Sequence, residues 1–425
     1  MDLKPKSVLQ GMAGAILSLA IVAGAQTPAT PPTTTPDSTT PAATPAATPP
    51  AAPAAAPAAA APAASPTWSV GPVDFSGYVD GYFSYNENRP GQDSALGQVN
   101  QLYNFDDLTD QFSLEAAKLT LNHDPDPVGA HVDLLFGRTN AFLHGADYAT
   151  DNYIEQAFIS IKPPKAKGFE LDFGQFTTSA GQEVIETMNN WSYSHGILFG
   201  FAIPYYHFGI RTSIPATKVW TVGLQVVNGW NDVSSNNGGV TIGLTSSVVK
   251  PKFTWNLNYY TGPSNFDSQQ GYRNLIDTTL LLTPNAKFNW YINYDYGQNQ
   301  IPKFTCFDGE SFVTCKEQDP HWQGIATSAR GQITPNSALV GRYEYFYDNE
   351  GYATMSSSAN PSFKPNTLQE FTGTYEYKWP VGLLLRAEYR RDWSNQKFFS
   401  KGDNESVTAQ STATLGLIAF FGPKR

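Results

Sequence analysis

The chain holds six imidazoles, His123, His131, His144, His195, His207 and His321, and none stands in a nucleophile motif. Hydrolysis of the Ser/His type needs a base within reach of the hydroxyl and a third group to orient it. That role pattern is absent, so the residues do not describe an enzyme. The two cysteines, Cys306 and Cys315, have eight residues between them in one loop. In an oxidising compartment this spacing suits a local disulfide across a hairpin; two unpaired thiols are the alternative. A two-cysteine metal site would need histidine partners that are not nearby. Asp106, Asp107 and Asp110 lack the regular ligand positions of a calcium loop and read as solvated acids. No cofactor and no metal is expected.

The remaining polar residues do a different kind of chemistry, because they alternate with apolar ones. From Val73 to Tyr85, Val73, Phe75, Val79, Phe83 and Tyr85 share one parity, while Asp74, Ser76, Tyr78, Asp80, Tyr82 and Ser84 share the other. Successive strand side chains point to opposite faces, so one face is apolar and the other wet. The same parity gathers Asp74, Asp80, His131, Asp133, His207, Arg211, Asn256, Asn293, Asp295, Arg330, Arg342, Glu344, Glu376, Arg386, Glu388 and Arg390 on the polar face. In a soluble core each unpaired group of this kind would cost about 1–3 kcal/mol. Water inside a barrel removes that cost, and the reading is of pore-lining residues. The arginines and acids on neighbouring strands either pair across the sheet or form a charged wall that sets ion preference.

The elements that must position them repeat: strand, long polar loop, strand, short turn. Sixteen strands are read, near 73–85, 112–122, 128–137, 153–162, 169–176, 206–214, 218–227, 239–248, 252–260, 274–283, 286–296, 322–333, 338–347, 369–379, 383–392 and 407–421. The short joins, such as Asp124–Pro127, Pro215–Thr217 and Pro284-Asn285, carry the residues that set turn geometry. Long joins fall between them throughout. This is the pattern of an all-β, transmembrane, antiparallel up-and-down barrel with short periplasmic turns and long external loops. Apolar parity slips between Phe112 and Leu121, which predicts a bulge. Residues 196–205 either extend the sixth strand or belong to the loop before it, so fourteen to eighteen strands fit. Aromatics such as Trp220, Trp255, Trp290, Tyr343 and Trp379 gather at strand ends, as the girdles of such a barrel do.

Residues 1–25 read as a secretory signal: Lys4 and Lys6, an apolar run from Val8 to Val22, and Ala23-Gly24-Ala25 before Gln26. Residues 26–66 are Pro, Ala and Thr almost throughout, with twelve prolines and Asp37 the only charge. They read as an extended periplasmic linker without a core. Residues 67–425 are then the outer-membrane barrel. Without the signal, 36 acids stand against 25 bases, and no basic stripe serves nucleic acid. Export followed by a barrel means the outer membrane of a Gram-negative-type envelope.

The segments GYVDGYFSYNENRP at Gly77–Pro90, YIEQAFISI at Tyr153–Ile161 and FGQFTTSAGQEVIETMNNWSYSHGILF at Phe173–Phe199 resemble the putative β-barrel porin-2, or OmpL-like, family. So do PYYHFGIR at Pro204–Arg211, VVNGWND at Val226–Asp232 and LLLRAEYRRDWS at Leu383–Ser394. The resemblance covers nearly the whole barrel and implies a porin: a water-filled channel for passive diffusion of small hydrophilic solutes or ions. Its implied partners are outer-membrane lipid, the barrel-assembly machinery and those solutes, with a homo-oligomer such as a trimer as the expected assembly. The alternative is a non-conducting structural or adhesive surface protein whose loops bind a ligand. One departure is the end of the chain, where Gly422-Pro423-Lys424-Arg425 follows Phe420-Phe421. By analogy with general porins, the third external loop, Thr177–Ile203, folds inward and brings Glu183, Glu186, Asn189, Asn190 and Tyr193 to a constriction.

The disulfide reading is tested by thiol titration of unreduced, denatured protein. No reactive thiol is expected from Cys306 and Cys315, and the Cys306→Ser, Cys315→Ser double variant should still fold, because the strands pair without the bond.

Overall fold

The computed structural model describes residues 68–91, 98–144, 152–307, 312–354, 365–403 and 405–422, without the side chains of residues 68, 304–307 and 312–315. The expected signal and linker, and the side chains of Cys306 and Cys315, lie outside the described set.

Sixteen antiparallel strands close into one barrel. In chain order they are β1 Val73–Asn86, β2 Gln111–His123, β3 Val128–Phe136, β4 Ile154–Ile161, β5 Glu170–Thr177, β6 Tyr206–Pro215, β7 Trp220–Val227, β8 Thr241–Lys250, β9 Phe253–Asn265, β10 Ser268–Asn285, β11 Phe288–Asn299, β12 His321–Thr334, β13 Ser337–Asp348, β14 Asn366–Trp379, β15 Leu383–Ser394 and β16 Ala409–Phe421. Closure is made by β1 against β16, from Gly77 opposite Phe421 to Asn86 opposite Thr412. A short strand, Trp68–Val70, continues along β1 below the end of β16. Closure matters because an open edge in hydrocarbon would leave a row of N–H and C=O groups unpaired.

The alternation is visible strand by strand. On β9, Trp255, Leu257 and Tyr259 are exposed outward, while Thr254, Asn256 and Asn258 are buried inward. The outward face of the barrel carries exposed Leu119, Ile159, Phe173, Leu244, Ile276, Leu339, Phe371 and Leu417, which only a lipid solvent makes favourable. At the turn-side rim three tryptophans repeat one device. The indole N–H of Trp220 donates to Ser246 Oγ (2.9 Å), that of Trp255 to Thr278 Oγ1 (3.0 Å) and that of Trp290 to Thr327 Oγ1 (2.7 Å). Nearer the loops, the Tyr259, Tyr294 and Tyr343 hydroxyls donate to amide oxygens of Asn274, Gln323 and Gln369 on the next strand. Each polar handle is thus satisfied by the adjacent strand.

Two local expectations are met and one is corrected. The parity slip in β2 is a bulge: Asp80 faces Ala116 and Gly81 faces Leu114, leaving Glu115 as the extra residue. Residues 197–201 form a short helix, Ile197–Phe201, inside the third loop rather than extending β6. The interval 261–273 is not a long loop. β9 and β10 stay paired up to Asn265 opposite Ser268, with Phe266 and Asp267 at the tip. Gly262, Pro263, Ser264 and Asn265 are poor strand formers by composition, so pairing with the partner strand, not propensity, extends this hairpin.

A stability test follows from the rim. Thr278→Val and Thr327→Val each leave an indole N–H without its partner and should destabilise the barrel by about 1 kcal/mol, read from denaturant unfolding in lipid vesicles.

Candidate functional site: a lumen half filled by the third loop

The third loop runs from Thr177 to Ile203 and lies inside the barrel. Its first arm rests on the wall through side-chain amides: Asn258 Nδ2 donates to Ser179 O (2.8 Å), Gln225 Nε2 to Ser179 Oγ (3.0 Å), and the Gln182 N–H to Asn293 Oδ1 (3.0 Å). Its middle is closed on itself. Asn190 donates to Val184 O (2.8 Å) and accepts the Val184 N–H (2.9 Å), and the His195 Nε2 lies 2.9 Å from the same carbonyl. Burial holds the His195 imidazole below its ordinary pKa, against the raising effect of Glu183.

The wall charges serve the loop backbone. Glu388 accepts the N–H groups of Tyr193 (2.6 Å) and Ser194 (3.0 Å), and Glu344 accepts that of Leu198 (2.9 Å). Arg342 donates to Ser194 O (2.7 Å), Arg390 to His195 O (2.6 Å), and Arg386 to the carbonyls of Thr187, Asn190 and Ser192. Irregular backbone placed away from water must find partners for its N–H and C=O groups, and these side chains supply them. Each arginine also has an acidic partner. Arg342 pairs with Glu183 (2.6 Å) and Glu370 (2.8 Å), Arg386 with Glu376 (2.9 Å), and Arg390 with Asp392 (2.8 Å). Arg330 shares Glu376 (2.8 Å).

Aromatic packing completes the seat. Tyr193 is fully buried, donates its hydroxyl to Asp80 Oδ1 (2.8 Å), and lies against Gly416 of β16. A Cβ at Gly416 would sit 2.0 Å from the Tyr193 ring, so only glycine leaves room. Trp191 packs on Tyr291 (ring centroids 5.0 Å), and Ile197, Phe199 and Phe201 join Tyr82, Phe105 and Trp322 in one apolar cluster. The expectation of water opposite the polar wall is corrected. The structure puts protein there: Asn256, Asn293, Asp295, Arg342, Glu344, Glu376, Arg386, Glu388 and Arg390 are all buried.

The filling is one-sided. Inward groups on β9–β16 and β1 are dry apart from those near the strand ends, whereas His131, Gln156, Phe158, Arg211 and Thr245 on β3–β8 keep partial exposure. Glu183, Val184, Glu186, Met188 and Asn189 are the partly exposed residues in the middle of the loop. On the open side Arg211 is neutralised by Asp172 (2.7 Å) and its guanidinium lies over Phe158 (4.9 Å) and Phe176 (4.6 Å). His207 is buried, with Nδ1 2.9 Å from Gly229 O, and Asp74 at the turn-side end accepts from Ser69.

Two bulges add acids that alternation missed. Glu115 is the extra residue of β2; Glu155 is that of β4, between Gln156 opposite Asp133 and Ile154 opposite Leu134. Both are buried inward. The slip at β2 was legible, but not which residue it adds. The slip at β4, from Ile154 to Ala157, Ile159 and Ile161 outward, was equally present in the sequence. Lys118, past the first bulge, also turns inward. Its ammonium lies 2.8 Å from Asp133, 2.7 Å from Glu155, and in contact with Glu186 of the loop.

A family model described as putative beta-barrel porin-2, OmpL-like, matches residues 72–421. No curated protein matches the sequence. Among solved structures, the outer membrane channel DcaP of Acinetobacter baumannii has 13% identity and a TM-score of 0.53, over 84% of this chain and 100% of that one. A Salmonella typhi OmpF complex with daunomycin has 13% identity and a TM-score of 0.51, over 82% and 97%. Vibrio cholerae OmpT in a trimer form has 12% identity and a TM-score of 0.50, over 82% and 99%. These likenesses establish the barrel fold.

The seat of Tyr193 gives a direct test. Gly416→Val should dislodge the loop while the barrel still forms, shown by heat-modifiable electrophoretic mobility. A glutamyl endopeptidase should then cut after Glu183 or Glu186 in the variant and not in the wild type.

Proposed function

Because this chain belongs to the putative beta-barrel porin-2, OmpL-like, family, we propose that it is a passive outer-membrane channel for small hydrophilic solutes or ions. The observation that carries the reading is the asymmetry of the lumen. Loop 177–203 is fastened to one side by charge-assisted hydrogen bonds, and partly exposed polar side chains remain on β3–β8. A barrel of about sixteen strands is wide enough to hold both a folded loop and a water path beside it. Glu183, Glu186 and Asn189 border that path, while Asn190 and Tyr193 anchor the loop that narrows it. The barrel is an outer-membrane one by family and fold. Residues 1–25 serve as the export signal, residues 26–66 as a periplasmic tether, and the Cys306–Cys315 bond stiffens the sixth external loop. A trimer, the form in which one fold relative was solved, is the assembly we assign.

Planar-bilayer recording of purified protein tests this. Discrete conductance steps are expected, and Gly416→Val, by releasing the loop, should change step size and raise flicker. A folded protein that gives no current, with no solute uptake into loaded liposomes, would favour the structural or adhesive alternative.

A further inference from the structure

The charges at the turn-side rim are not spread evenly around the barrel. On and beside the four consecutive turns that join β4–β5, β6–β7, β8–β9 and β10–β11, Lys165, Lys167, Lys218, Lys250, Lys252 and Lys287 are all exposed. Among the described residues none of the six has a carboxylate within 4.0 Å. The acids of the same region are taken, Glu170 by Lys162 (2.9 Å) and Asp172 by Arg211 (2.7 Å). The β2–β3 turn carries Asp124 and Asp126 instead, and the β12–β13 turn, Pro335-Asn336, carries no charge. Within the arc, Trp220 pairs with Val248, and the Val249 N–H donates to Val219 O (2.9 Å). Lys218 and Lys250 come next on that ladder, and like charges placed there repel unless an anion lies between them. Lys250 shares the outward parity of Ser246, the hydrogen-bond partner of Trp220, and its ammonium lies 5.5 Å from the Phe253 ring centroid. The arc therefore begins one step beyond Trp220 and Trp255. Those indoles mark the headgroup boundary, and a lysine just past them reaches the phosphates while its stem stays on apolar surface.

We propose that this arc is a docking surface for anionic phospholipids, whose headgroups the six ammoniums hold in the leaflet on the turn side. The occupant is a lipid because of where the charge lies: beside the tryptophans, at the level where the bilayer itself presents phosphate. The chain's own residues 26–66 cannot neutralise the arc, since Asp37 is their single charge. Lysine suits the task, as a compact cation on a flexible stem that needs no fixed partner geometry. The proposal rests on the barrel lying in the membrane with its turns at the inner leaflet, and it is independent of conduction.

The experiment is native mass spectrometry of the full chain released from micelles that contain phosphatidylglycerol and phosphatidylcholine with the same acyl chains. The wild type should retain phosphatidylglycerol in preference, and sodium chloride should lower that preference. Lys218→Gln, Lys250→Gln, Lys252→Gln and Lys287→Gln together should lower it roughly 10-fold or more, whereas the same four positions changed to Arg should keep it. Arg89→Gln with Lys397→Gln and Lys401→Gln, on the loop side, should leave it unchanged. Barrel folding is checked by heat-modifiable mobility. If the four-Gln variant does not fold, Lys165→Gln with Lys167→Gln, in a turn outside the ladder, must lower the preference by itself. A wild type without preference, a folded Gln variant that keeps it, or a loop-side variant that loses as much overturns the proposal. So does a wild type that binds soluble polyphosphate yet does not discriminate between the two lipids. Loss of conductance bears on the channel reading and leaves this one standing.

Discussion

The constraint on which the molecule depends is that peptide N–H and C=O groups cannot be left bare away from water. In the wall, lipid enforces it, and the answer is a closed ladder whose first and last strands pair. In the lumen, the third loop raises the problem a second time, because irregular chain has no ladder to join. There the answer is given by side chains of the wall: Glu388 and Glu344 take loop N–H groups, and Arg342, Arg386 and Arg390 take loop carbonyls. One rule therefore explains both the closed sheet and the charge-rich interior. It also explains why so many inward charges are buried rather than bathed. They are part of how a loop is kept folded inside a tube, and removing one partner of such a buried pair costs about 3–5 kcal/mol.

The two faces of each strand solve different solvation problems with the same period. Outward, the side chains are apolar, and the few polar handles are passed to a neighbour, as Trp255 passes its N–H to Thr278. Inward, polar side chains are interspersed with buried apolar ones such as Leu275, Val340, Phe346 and Ile418, and what a side chain meets depends on position around the barrel. Along β9–β16 and β1 it meets the loop. Along β3–β8 some side chains, among them His131, Gln156 and Arg211, meet solvent for part of their surface, while Asp133, Glu155, Asp172 and His207 are buried. The loop thus converts a round lumen into a lopsided one, and the charges that remain accessible belong to the lopsided part.

How much of this was legible in the sequence depends on range. Facing follows from a local period of two, so Asp80, Arg342 and Glu388 could be turned inward without any structure, and the alternation of long and short joins put the strand number near sixteen. The inward course of the third loop came only by analogy with general porins. Its fastening did not come at all, because Tyr193 against Gly416 and Glu183 against Arg342 join residues more than a hundred positions apart, and no local pattern encodes such pairs. The bulges fall between the two cases. A shift of apolar parity announces each, at Leu114/Leu119 and at Ile154/Ala157, yet the register of the partner strand decides which residue is the extra one. The hairpin of β9 and β10 shows the converse limit, since pairing carried strand through residues that propensity would assign to a loop.

The bulges have a consequence for how such a barrel can change over time. A substitution at an inward position keeps strand length, whereas an ordinary one-residue insertion in a regular strand would turn every later side chain to the wrong face. At β2 and β4 the extra residue is absorbed by the bulge: the apolar side chains before and after Glu115 and Glu155 still face lipid. Losing either residue would let the ladder close over the gap and would remove one carboxylate from the interior without moving anything that touches the membrane. These two places are therefore where the lineage can add or delete pore chemistry by length variation, a freedom that regular barrel strands do not have.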